Sequence, residues 1–574
     1  MKEICCGIDL GTTNSVIAWI RNGVPEAINI EEGQAIVPSV VSFEPEGGGV
    51  YFGRQAANRF VAFPKQTVKS VKRLMGTKDL VQVGDRSYLP EEISGMLLGH
   101  LAASAGTLIG QPVRKVVVTV PAYFDDGQRR ATIRAGELAG LEVMRIINEP
   151  TAAAFVYESP AAASAEGELV LVYDLGGGTF DVSVVQLRGD IKEVLASCGD
   201  TALGGDDFDA RLTDFFLEHL ESKADRDLSE DFALRIRLTD IAERTKISLT
   251  DQPYVSVNEV AVALVDQTPI NLSLEVSRSE FDELTGDLID KTRAKVMEAL
   301  DESHLTVEDI DRIILVGGST RMPSVQRMLA ELFDQPMEHS IDPDLCVALG
   351  AAVQAGIIAG EPLHHILIDV AAHSLGTRTI DEIDPETGDA DHFTPIIRRN
   401  TRIPVSRSEV FYTLREGQQQ VEVDVFQGES RSCRENTFVD SFCFDLKPAP
   451  ANSPVTMEFS YDLQGIVQVT VSQKGYDNTM TVAVNLKKSL NGESAEAPAE
   501  VELRDKPINS ISQRARSLLV NPHIPAMAVK ELKQLTHRYE SAIAAGDSEE
   551  MIDRLEDNLL ELMDQLMDDL ESHG

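Results

Sequence analysis

A motif that occurs twice constrains this chain more than anything else in it. Ile8-Asp9-Leu10-Gly11-Thr12-Thr13-Asn14-Ser15-Val16 returns as Tyr173-Asp174-Leu175-Gly176-Gly177-Gly178-Thr179-Phe180-Asp181-Val182. Each copy reads as strand, aspartate, glycine turn, strand. Glycine allows positive φ and close approach of backbone amides to an anion, and threonine hydroxyls add donors to the same concavity. Two such hairpins can hold a polyphosphate between them. The aspartate at each mouth offers the hard oxygen that Mg²⁺ takes through one or two carboxylates, waters and phosphates, so Asp9 and Asp174 are the metal candidates. One copy alone would be an ordinary glycine-turn hairpin, and the matched second copy argues against that reading.

A third glycine motif, Val316-Gly317-Gly318-Ser319-Thr320-Arg321-Met322-Pro323, follows an apolar strand and precedes a helical pattern, where a backbone could approach a nucleotide. No Gly-x-x-x-x-Gly-Lys-Ser/Thr loop occurs, so the P-loop route to phosphate is excluded, as are the His-Glu-x-x-His and Gly-x-Ser-x-Gly chemistries.

At 574 residues the chain needs several cores. Residues 1–362 alternate apolar strands with helical segments, the pattern of an α/β domain. Ile366-Leu367-Ile368-Asp369-Val370 is too short for a helix and joins regions of different pattern, so 363–372 reads as an interdomain linker. Over 373–488 the period falls to two, as in Val421-Glu422-Val423-Asp424-Val425, which predicts an all-β domain of about eight strands. A polar tether is expected over 489–505. Leucines every three or four residues predict a small helical bundle over 506–574.

The formal net charge of −41 disfavours nucleic acid and acidic membrane surfaces as partners. The start, Met1 to Cys6, shows no secretory pattern, and no apolar run approaches membrane length, which predicts a cytoplasmic location. The six cysteines have no metal-type spacing, and Cys5 and Cys6 read as strand residues.

With these motifs assembled, the chain resembles the DnaK-type 70-kDa heat-shock chaperones. Val120-Pro121-Ala122-Tyr123-Phe124, Ile147-Asn148-Glu149-Pro150-Thr151-Ala152-Ala153-Ala154 and Leu203-Gly204-Gly205 fall between the repeated hairpins and the third glycine motif in the family's order. The resemblance implies an actin-like two-lobed ATPase domain, a β-sandwich peptide-binding domain and an α-helical lid, here shortened, in a specialised bacterial member. It assigns Lys72, Glu149, Thr179 and Asp181 to catalysis. Gly11, Thr12, Thr13, Asn14, Gly176, Gly177, Gly178, Gly204, Gly205, Glu243, Lys246, Thr250, Gly317, Gly318, Ser319, Arg321 and Asp344 would hold ATP or ADP, with Mg²⁺ and K⁺ as cations. Pro121, Arg129, Arg145, Leu367, Ile368 and Asp369 would couple the domains, Arg145 and Asp369 also meeting a J-domain co-chaperone. A nucleotide exchange factor is a further implied partner. Thr377, Ile380, Val410, Phe411, Leu414, Val421 and Val423 would line the groove for unfolded client polypeptides, although alternation alone would make the valines core.

Against the family's pattern, Thr377 and Ile380 replace isoleucine and methionine, Leu414 replaces an arch alanine, and an acidic insertion fills 381–391. Two other functions share the cleft: a nucleotide-regulated scaffold or exchange factor, and a small-metabolite kinase. The intact set Asp9, Lys72, Glu149, Asp174, Thr179 and Asp181 argues against the first, and a β-domain behind an apolar linker against the second.

Overall fold

The computed structural model describes residues 4–45, 48–157, 167–265, 268–335, 337–338, 341–363, 365–379, 392–483 and 526–545, with 554–555, 558–559 and 562–563 of the tail. The expected tether, Ile380 and the 381–391 insertion lie outside the described residues, as does most of the expected lid.

Two sheets of matching design dominate residues 4–363. In the first, strand Cys5–Leu10 forms a hairpin with Asn14–Arg21 and runs parallel to Lys115–Val120, which is parallel in turn to Glu142–Asn148. In the second, Glu168–Leu175 forms a hairpin with Phe180–Arg188 and runs parallel to Arg312–Val316. The sequence repeat is thus a repeat of topology, one hairpin per lobe.

The lobes meet through helices made of small residues. Helix Cys346–Ile358 is buried on nearly every side, and a side chain at Gly350 would lie 1.7 Å from Ala152 O in helix Glu149–Val156. On its other face, a side chain at Gly7 would meet Ala352 N at 2.2 Å. Only alanine and glycine permit backbones this close, which explains the runs Ala152-Ala153-Ala154 and Gly350-Ala351-Ala352.

Helix ends follow their sequence signals. Asp125 caps helix Asp126–Leu138 by accepting from Gln128 N, and Ser277 caps Arg278–Glu302 by accepting from Glu280 N.

The linker run is itself a strand. Ile366–Val370 pairs parallel with Ile191–Asp200, extending the second sheet, and its far edge pairs with Arg402–Ile403 of the β-region. Beyond it, two four-stranded antiparallel sheets face each other. One holds His392–Ile397, Leu375–Thr379, Gln420–Gln427 and Thr437–Asp445; the other holds Val405–Tyr412, Pro454–Tyr461, Val467–Gln473 and Asn478–Ala483. Alternate residues, among them Val423, Val425, Phe442, Phe444, Phe459, Val469 and Val471, fill the space between them.

In the tail, helix Ala526–Ala545 buries Leu532 and Tyr539, and Leu555 and Leu559 are buried too. Among the described residues no helix is long and apolar enough to cross a membrane. The architecture is a two-lobed α/β domain, a β-sandwich and a helical region.

Candidate functional site

The two repeated turns face each other across the cleft. A side chain at Gly177 would lie 1.7 Å from Thr13 Oγ1, one at Gly178 would lie 2.6 Å from Thr12 Cγ2, and one at Gly204 would strike Gly178 N at 2.5 Å. Glycine is required here by proximity, and the space a Cβ would fill is lined by amides and threonine hydroxyls.

At the mouth of the hairpins, Lys72 is buried and ion-paired to Glu149. Burial alone would disfavour its ammonium, but Glu149 and Asp9 overcome that and hold its pKa above the usual value. Asp9, which accepts from Thr119 Oγ1 at 3.0 Å, is pushed up to about 7 by burial and then by Glu149. Asp181, which accepts from Tyr123 N at 3.1 Å, is likewise pushed up to about 7 by burial and by Glu149. Asp174 is also held well above the ordinary carboxylate value, by burial and then by Glu149 and Asp181.

Four carboxylates thus share one ammonium, an excess of negative charge that a hard divalent cation would relieve. An all-oxygen donor set beside a phosphate-sized cradle fits Mg²⁺ with a polyphosphate. Thr179, buried at the second turn, completes this end.

A second cluster adjoins the second hairpin. Lys246 Nζ donates to Gly205 O at 2.8 Å and pairs with Asp209 at 2.7 Å, and a side chain at Gly205 would meet Ser319 Oγ at 2.6 Å. Ser319 Oγ donates to Gly176 O at 3.0 Å, which joins the third glycine motif to the second hairpin. Arg321 pairs with Asp344 at 2.9 Å and Asp342 at 2.6 Å, and Gly318 closes on Asp344. Glu243 and Thr250 lie on the same helix as Lys246, Phe232–Asp251.

Several groups at the site escaped the sequence reading. Lys69 pairs with Glu243 at 2.8 Å, Ser70 Oγ donates to Asp206 at 2.7 Å, and Arg73 reaches Asp207 at 3.0 Å and Ala202 O at 2.8 Å. All three flank Lys72 and cross from one lobe to the other. Their position beside Lys72 was the available signal, but nothing in the chain names the partners.

The coupling candidates converge behind the site. Arg129 Nη2 donates to Asn148 Oδ1 at 2.8 Å and Ala122 O at 3.0 Å, and Asn148 Nδ2 donates to Asp369 of the linker strand at 3.0 Å. Asp369 also accepts from Thr151 Oγ1 at 3.3 Å and is buried, while Arg145 sits half-buried with its charge near Asp369 and Asp462. Pro121 is buried at the start of this segment, and Leu367 and Ile368 are half-buried in the strand.

Beyond them the β-sandwich is docked. Asp126 Oδ1 accepts from Val467 N at 2.9 Å, Arg130 donates to Val467 O at 2.8 Å, and Arg399 pairs with Glu302 and, at 2.9 Å, with Glu298.

The expected groove residues divide. Val410 and Leu414 are exposed, and Phe411 and Val421 half-buried. Val423 is fully buried between the sheets and Thr377 is buried with its hydroxyl bonded to Asp424 O at 2.7 Å, so in this arrangement both are core. The reason is pleat: Val421, Val423 and Val425 share one side of their strand, and only its end leaves the sandwich.

Comparison with known proteins agrees with this architecture. The family model described as Hsp70 protein matches residues 5–573. The chaperone protein DnaK of Thermotoga neapolitana is 44% identical over 501 residues, 86% of this chain and 82% of the relative. DnaK of Metamycoplasma hominis is 41% identical over 86% of this chain and 81% of its own. DnaK of Mesomycoplasma hyopneumoniae is 39% identical over 99% of this chain and 91% of its own, so similarity continues through the tail. The scaffold and kinase readings are not favoured. The chain belongs to the Hsp70 family: it is an ATP-hydrolysing molecular chaperone that binds client polypeptides and co-chaperones.

Proposed function

We propose that ATP, with Mg²⁺ and K⁺, occupies the cleft between the two hairpins, and that its hydrolysis is driven by positioning and electrostatics. Bound Mg²⁺ would offset phosphate charge beside Asp9 and Asp174. Amides of Gly11 to Asn14 and Gly176 to Gly178 hold the phosphates, and Thr179 contacts the terminal one. Lys72, held by Glu149, orients the attacking water, and Asp181 accepts toward it. Such a site lowers the barrier by fixing near-attack geometry and by presenting charge that needs no reorganisation. Gly204, Gly205, Glu243, Lys246, Thr250, Gly317, Gly318, Ser319, Arg321 and Asp344 hold the nucleoside.

The observation that carries the reading is Lys72 buried among four carboxylates between two opposed glycine hairpins. Residues 1–362 act as the ATPase, 363–372 as the coupling segment, 373–488 as the client domain, 489–505 as tether and 506–574 as a short lid. Extended apolar client segments bind where Val410, Phe411, Leu414 and Val421 emerge, through backbone bonds and a few side chains. Ile380 is the remaining candidate there. A J-domain protein would stimulate hydrolysis at Arg145 beside the linker, an exchange factor would open the lobes, and the cycle would run in the cytoplasm.

The test is phosphate release from ATP with no acceptor added, with and without an apolar peptide. Release that the peptide accelerates is expected. Dependence on a small-metabolite acceptor would overturn the reading.

A further inference from the structure

Lys72 belongs to the first lobe, yet the phosphates it would serve are shared with the second. It sits in the short 3-10 helix Val71–Leu74, anchored by Val71 and Met75 in the core beneath the first hairpin. Ser70, which opens that helix, has φ 54° and ψ 28°, the left-handed region that a serine occupies only at a cost. Its hydroxyl donates across the cleft to Asp206 Oδ2 at 2.7 Å. Burial pushes the Asp206 pKa up, and the Ser70 hydroxyl, followed by Lys246 and Arg73, works against that rise in favour of the carboxylate.

Asp206 stands in the first turn of helix Gly205–Ala224, whose Phe208 and Leu212 pack with Tyr173 and Leu175 in the core of the second lobe. Its own amide donates to Gly177 O at 2.7 Å, and the amide of Gly205 donates to Gly176 O at 2.9 Å. One residue therefore holds the second phosphate turn by its backbone and the segment of Lys72 by its side chain. The same turn is close to Arg73, whose Cγ would lie 2.9 Å from a side chain at Gly178.

We propose that Ser70 is a positioning residue for Lys72: its bond to Asp206 sets the register of the lysine against the second phosphate turn. The proposal rests on the reading that Lys72 orients the attacking water. Lys69 and Arg73 also cross the cleft, to Glu243 and Asp207, but each does so at the end of a long stem whose rotatable bonds can follow a small shift of the backbone. A serine hydroxyl has no such reach, so its bond to Asp206 forms only when the two backbones stand at one separation. Closure of the lobes makes that bond and places Lys72; opening breaks it and leaves the left-handed Ser70 without the partner that offsets its strain.

The experiment is single-turnover hydrolysis of radiolabelled ATP by the full chain, with ATP affinity measured alongside. Ser70→Ala should slow hydrolysis about tenfold while affinity stays within about twofold, because lost register acts in the transition state. Ser70→Gly, which takes the left-handed backbone freely, should be as slow, since the hydroxyl is what counts. Asp206→Ala should also be slow, and its combination with Ser70→Ala no slower than either change alone. Added to Lys72→Ala, Ser70→Ala should change nothing further. A wild-type rate in Ser70→Ala, a restored rate in Ser70→Gly, or an affinity that falls as far as the rate would each overturn the proposal. So would an equal slowing of the Lys72→Ala protein, because a role in general lobe closure acts with or without the lysine. Hydrolysis at the wild-type rate by Lys72→Ala itself would instead sink the reading of Lys72, and this proposal with it.

Discussion

Lys72 shows how a side chain with no local signature acquires a role. In sequence it is one lysine among several between 65 and 78, and only the family resemblance singled it out. In the structure it is buried against Glu149, with Asp9 and Asp174 close enough to keep it charged. Lys72→Ala should keep ATP affinity while single-turnover hydrolysis falls by roughly two orders of magnitude or more, because lost positioning acts in the transition state. Hydrolysis at the wild-type rate would remove Lys72 from the site.

Its neighbour Lys69 was not legible at all, since its partner Glu243 lies 174 residues away. The Lys69–Glu243 pair joins the lobes and is about three-quarters buried on both sides. Its loss should cost on the order of 1 kcal/mol and speed ADP release roughly fivefold in Lys69→Ala, measured with a labelled nucleotide. An unchanged release rate would mean that the pair does not hold the lobes together.

Among elements, those with strong periodicity were readable and those completed by a distant strand were not. Alternation over 373–488 anticipated the strands. The linker was legible as apolar and short. Its strand conformation was not, because its pairing partners, Ile191–Asp200 and Arg402–Ile403, lie in other parts of the chain.

Strand Gln420–Gln427 carries a correction at this scale. Val423, expected in the client groove, is enclosed between the sheets, so Val423→Phe should overpack the sandwich by about 1–3 kcal/mol and lower its melting temperature. Leu414, exposed beyond the end of Val405–Tyr412, is the better probe of binding. Leu414→Asp should leave melting unchanged and weaken an apolar peptide several-fold by fluorescence anisotropy. The opposite pattern, a stable Val423→Phe that fails to bind and an unaffected Leu414→Asp, would restore the original assignment.

At the scale of the whole molecule, the duplicated hairpins announced a polyphosphate cleft, and the family resemblance implied the two lobes around it. How its domains meet could not be read, because the seam is built from single residues of unremarkable type: Asp126 on Val467, Arg399 on Glu298, Asn148 on Asp369. The linker strand crosses this seam, bonded to the ATPase sheet along one edge and to the sandwich along the other. A segment that docks in one nucleotide state only is a two-state element, and ATP can bias it no further than its differential affinity for the two states.

The measurement that bears most directly on this account is peptide release after ATP addition in the double variant Leu367→Asp, Ile368→Asp. Two charges in the half-buried strand should undock it. ATP affinity and peptide affinity in the ADP state should stay near wild type, while ATP-triggered release and peptide stimulation of hydrolysis disappear. If ATP accelerated release from the double variant as it does from wild type, the linker would be a passive connector and the coupling would run elsewhere.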